Sequence, residues 1–178
     1  MVAVDSPAKP GPTAGGSGCA DDAGDEQRLA DLAGMLATGV VEALPGWVVA
    51  CVERRSTQWQ GSCPPALVSA ASEAGARAAR ELGPALRDLL ASDVDDQRTN
   101  PLAIVRQATR YPTGVLRDAG VPGVVRDAEA ERQFPNDDYD LTPAAFADLD
   151  EDLGDLGILW GAAKARVVLA RRRREGRT

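Results

Sequence analysis

Histidine is absent from all 178 residues. With it go the commonest general base and any Cys/His zinc site. Aromatics make up only 4% of the chain, against 44% apolar residues overall, so a core must be assembled from Ala, Leu and Val, a composition that favours closely packed helices. The three cysteines, Cys19, Cys51 and Cys63, are odd in number and irregularly spaced, which speaks against a disulfide framework. No P-loop and no dinucleotide-binding glycine pattern is present, so no cofactor is expected. The first 24 residues hold no apolar run, and no later stretch is read as reaching the about 18 apolar residues of a membrane span. These absences point to a cytoplasmic protein without a membrane partner.

What is present reads as helix. Residues 1–24 carry Pro7, Pro10 and Pro12, five glycines and no aromatic, too little apolar area to offset the entropy of ordering, and are expected to form a disordered leader. From Asp25, Leu29, Leu32, Leu36, Val40 and Ala43 recur at helical spacing, with Asp25 and Glu26 suited to the positive helix start. Pro45 is expected to end that helix, Trp47 to enter the core and Trp59 to pack at a helix end. Ser62 is a candidate N-cap for a long helix toward Leu90, with Leu67, Ala71, Ala74, Ala78, Leu82, Leu86 and Leu89 inward. Gly75 and Ala79 admit a close neighbour, and Gly83-Pro84 is expected to kink or split the rod.

Residues 93–122 form a central block with Thr99-Asn100-Pro101 as a helix start, Tyr111-Pro112 as a break and Gly120 as a stop. A short helix is expected over 123–133. Thr142-Pro143 opens a further turn as N-cap and N1. The last helix, about Asp150 to Arg173, places Leu153, Leu156, Trp160, Ala163, Val167 and Ala170 on a heptad-like seam. The expected fold is all-α: an irregular bundle of five to seven helices with a disordered N-terminal leader and a basic C-terminal tail. One domain spans 25–174, and 175–178 is a flexible C-terminus.

Catalytic chemistry finds little support. Asp93-Val94-Asp95-Asp96 resembles the acidic DxDD pattern of certain terpene cyclases, but seven aromatics cannot line the large cavity that steers a carbocation, and the resemblance is rejected. The same aspartates, or Asp137, Asp138 and Asp140, could supply oxygen ligands to a divalent cation. Neither run has the glycine and distal glutamate of a calcium loop, and acids before a helix start are explained by its dipole. Cys51 falls on an apolar helical face, where a thiol is inert. A small metal-dependent enzyme is therefore the third reading, no catalytic or metal-ligating residue is assigned, and enzyme activity is the minority expectation.

Two surfaces carry the interaction readings. Arg106, Arg110 and Arg117 with Tyr111 form either a recognition surface for a protein partner, with Tyr111 as anchor, or an ion-pair network pinning short helices. The second surface lies on the last helix. Residues 164–178 hold seven cations against Glu175, a net +6, so the net −7 of the chain leaves −13 on residues 1–163. Arg171, Arg172, Arg173 and Arg174 could contact nucleic-acid phosphates, although the acidic body opposes this. Alternatively, two copies could pack antiparallel through Gly157, Trp160 and Gly161, each arginine run meeting the other chain's Asp148–Asp155. The leading expectation is a protein-protein interaction or adaptor module, with nucleic-acid or ribonucleoprotein association through the tail as the alternative.

Overall fold

A computed structural model describes residues 18–92, 100–123, 128–133 and 141–176. Among these the chain is all-helical. Four α-helices of nine residues or more do the building: α1 (Gly18–Gln60), α2 (Pro65–Ala91), α4 (Arg110–Asp118) and α6 (Glu151–Glu175). Two six-residue helices, α3 (Pro101–Arg106) and α5 (Ala128–Gln133), and 3-10 turns at Gln107–Thr109 and Phe146–Asp148 connect them. The expected five to seven differs slightly from those four because two anticipated breaks do not occur. Pro45 lies inside α1 and Pro84 inside α2.

The axis of the molecule is α1, whose 43 residues extend about 65 Å at 1.5 Å per residue. It begins at Gly18, seven residues before the expected start, so the end of the anticipated leader is helical. Residues 1–17 lie outside the described ones, as do 177–178; Glu175 still belongs to α6 and Gly176 caps it. Leu36, Val40, Leu44, Val48 and Val52 are completely buried along α1, each such side chain contributing about 2 kcal/mol. By length and composition this helix could cross a membrane, an 18-residue window having mean hydropathy 1.7, which corrects the expectation that no stretch qualifies. In this fold 44% of that window is buried.

Gly61, with φ +77°, turns the chain after α1, and its N–H donates to the Thr57 carbonyl at 2.9 Å. Glycine adopts this left-handed conformation without the Cβ penalty. Ser62 does not cap α2; its carbonyl accepts from Ser56 Oγ at 3.0 Å, and Pro64 occupies the cap position with Pro65 at the first helical residue. The hairpin that results packs α2 antiparallel on α1 at very short range. A Cβ on Gly75 would stand 2.6 Å from Pro45 Cα, and one on Gly83 would stand 2.8 Å from Val41 Cγ2. Pro45 offers no N–H to the Val41 carbonyl, yet α1 runs on, held by burial on both sides of the proline.

Asn100 caps α3 as expected, accepting from Leu102 N–H at 3.0 Å, with Pro101 following. The break in this block comes at the 3-10 turn 107–109 rather than at Tyr111-Pro112, because Pro112 sits in the first turn of α4, where its missing donor is not needed. Gly120 (φ +73°) ends α4, with Val121 N–H reaching the Leu116 carbonyl at 2.9 Å. Thr142 does not start a helix; its hydroxyl oxygen lies 3.1 Å from Thr109 Oγ1 and ties the later loop to the 3-10 turn. Trp59, expected to pack at a helix end, is 62% exposed.

Candidate interaction surfaces

Of the central-block candidates, the structure joins Tyr111 and Arg110 and leaves Arg106 and Arg117 apart. Tyr111 is 3% exposed, so it is not a surface anchor. Its hydroxyl donates to Glu81 Oε2 on α2 at 2.6 Å and accepts from Arg110 Nη2 at 2.8 Å. Arg110 also pairs with Glu81 at 3.2 Å, and its guanidinium lies 4.9 Å from the Tyr111 ring centroid, with that of Arg77 at 5.8 Å. Burial first, and the bond to Glu81 second, hold the phenol above its ordinary pKa, against the opposing pull of Arg110. This is a clasp fastening α4 to α2.

Arg106 closes α3 and Arg110 opens α4, so the intervening 3-10 turn takes them off the common α-helical face that a spacing of four suggests. Arg117 pairs with its neighbour Asp118 at 3.5 Å, both largely exposed, a contact worth little in water.

A cleft of about 650 Å³ lies between the second half of α1 and residues 141–149. Cys51 on its wall is buried and accepts from Arg54 Nη2 at 3.7 Å. Asp148 turns its carboxylate to its own loop, accepting from Ala144 N–H at 2.7 Å and Ala145 N–H at 2.9 Å. Among the described residues no three His, Cys, Asp or Glu side chains gather as a metal site. The acidic runs 93–96 and 137–140 lie outside those residues.

Helix α6 has two different faces. Asp150 caps it, accepting from Asp152 N–H at 3.0 Å, and acids in its first turn with arginines in its last suit the helix dipole. Leu153, Trp160, Ala163 and Val167 are buried on the inward face, α6 lying antiparallel along the first half of α1. Leu153 is seated at Gly39, and Arg171 reaches Glu26 at 3.4 Å. Trp160 therefore belongs to this chain's own core, its ring covered by Lys164 Nζ at 5.2 Å. Gly157 is also occupied from within: a Cβ there would stand 2.7 Å from Phe146 Cδ2. Gly161 is open, with nothing within 4 Å of such a Cβ, while Arg172, Arg173 and Arg174 are exposed.

The outward face is apolar as well. Ile158 is 71% exposed, Leu169 52% and Leu159 49%, with exposed Ala162 and Ala165 between them. Reading for a single buried seam finds Leu153 to Val167 and passes over this second stripe, although the 4-3-4 spacing of Ile158, Ala162, Ala165 and Leu169 is there to be counted. Compared with protein-family models, curated proteins and solved structures, the chain matches none of them.

Proposed function

We propose that this chain is a protein-protein interaction module whose contact surface is the outward face of α6. The observation that carries this reading is the concentration of exposed apolar side chains there. Of five large hydrophobic residues exposed among the described residues, three, Ile158, Leu159 and Leu169, lie within twelve positions of α6, while Met35 and Trp59 are isolated on α1. A contiguous apolar stripe flanked by charge is the ordinary composition of a helix that docks on another helix. Its rigid support follows from the inward face, where Trp160 and Val167 lock the helix against α1.

Capture from a lysate of the source cell tests the reading. The full chain should retain protein after nuclease treatment, and Ile158→Asp with Leu169→Asp should abolish retention while helix content and melting temperature hold. Capture that disappears with nuclease, and survives the double substitution, would instead favour nucleic-acid association through exposed Arg172, Arg173 and Arg174, with affinity falling steeply from ~50 to ~200 mM salt.

A further inference from the structure

Resting on that reading, we infer that the partner of the α6 outward face is a second copy of this chain, packed antiparallel. The inference comes from the internal symmetry of the exposed stripe. Ile158, Ala162, Ala165 and Leu169 are spaced 4, 3 and 4, a pattern that is unchanged when the helix direction is reversed. Two α6 helices crossing antiparallel at their midpoint between Ala162 and Ala165 place Ile158 opposite the second copy's Leu169 and Ala162 opposite its Ala165. Each large side chain then meets a large one at the ends, and the small ones meet at the centre, where the backbones approach closely. This is the layer arrangement of an antiparallel helix pair built on a heptad seam.

The same register settles the charges. Three residues outward from Ile158, Asp155 falls opposite the second copy's Arg172, and on the flank Asp152 comes near its Arg173. All four are exposed in the monomer. By the twofold symmetry of such a pair each contact occurs twice, four opposite-charge pairs in all. A parallel pair would instead set acids beside acids and arginines beside arginines, which opposes it. Arg171 takes no part, since it is engaged with Glu26 of its own chain. The interface therefore differs from one through Trp160 and Gly157, which the fold uses internally, and keeps Gly161 at its edge, where nothing fills the space above the helix.

Sedimentation velocity and light scattering on the full chain decide the matter. The wild type should be dimeric at low salt and dissociate more readily as salt rises. Ile158→Asp with Leu169→Asp should be monomeric with unchanged helix content. Arg172→Glu with Arg173→Glu, and separately Asp152→Lys with Asp155→Lys, should each be monomeric alone, because each then carries like charge at both ends of the stripe, and an equimolar mixture should form a one-to-one heterodimer; the orientation is read from the wild type, whose opposite ends pair only when antiparallel. A mixture that stays monomeric, or a wild-type dimer indifferent to all three double substitutions, overturns the antiparallel pairing. A wild type that is monomeric at low salt and high concentration, yet retains protein through Ile158 and Leu169, overturns the second copy alone. One that is monomeric and retains nothing overturns the module reading with it.

Discussion

Helices α2 and α6 both lie antiparallel on α1, yet they meet it by opposite means. On α2 the contact is made by absence of side chain: Gly75 admits the Pro45 backbone, Gly83 admits Val41, and Ala71, Ala74 and Ala78 are buried on the same helix. On α6 the bulk comes from the arriving helix, Leu153, Trp160 and Val167, and α1 makes room with Gly39. At Gly75 the first contact is backbone on backbone and tolerates no added atom, while at Gly83 the helix meets the Val41 side chain. The second is side chain into recess, and its cost of disruption is that of an emptied cavity. The outward sides differ too, since α2 turns Glu73, Arg77, Arg80 and Glu81 to solvent or to the Tyr111 clasp, whereas α6 turns Ile158, Leu159 and Leu169 outward.

The sharpest way to break this comparison is to empty neighbouring positions of α6. Trp160→Ala should cost about 3–5 kcal/mol in urea unfolding, the usual range for a buried tryptophan, while Leu159→Ala, one residue away and outward, should stay within about 0.5 kcal/mol for the monomer. Equal losses would mean that the two faces of α6 are not distinct. Next in size is the α1–α2 crossing. Gly75→Val forces atoms into the Pro45 backbone and should lower stability by about 3 kcal/mol. Gly34→Ala, where a Cβ meets nothing within 4 Å, should raise it by up to about 1 kcal/mol through helix propensity. A neutral Gly75→Val would show that α2 can stand farther from α1.

Smaller effects are expected where α4 is fastened to α2. Tyr111→Phe removes the bond to Glu81 and should cost about 1 kcal/mol, detected as a lower urea midpoint at pH 7. The pH dependence has a definite sign. A phenol pKa raised in the fold means that the native state holds the proton more tightly, so the stabilisation is complete below the ordinary phenol pKa of about 10 and disappears as pH rises through the folded value. Ultraviolet titration should show one phenol ionising later than a free tyrosine and vanishing in Tyr111→Phe. Ionisation at the free-tyrosine position would place Tyr111 outside the clasp. Least of all should Arg117→Ala matter, within about 0.5 kcal/mol, since its pairing with Asp118 is exposed.

Amino-acid order alone determined the helical class and most of the inward residues. Apolar side chains at spacings of three and four leave one face of α1, α2 and α6 with no favourable place but a core, so Leu36, Ala78, Leu86 and Val167 could be assigned without coordinates. Local chemistry also marked Asn100 as a cap and Gly120 as a stop, because caps and left-handed turns depend on a few adjacent residues. Tertiary structure decided what local rules could not. Pro45 and Pro84 stay inside their helices because burial along α1 and α2 outweighs the hydrogen bond each removes, a balance invisible to a rule about proline alone. Tyr111 is inside because Glu81, thirty residues earlier, brings it a partner across helices. The seam of α6 that carries Trp160 and Val167 was legible as an inward face, but that Ile158, Ala162, Ala165 and Leu169 form a second stripe with no cover in this chain follows only from the position of α1, since a helix can lay just one stripe against the same neighbour.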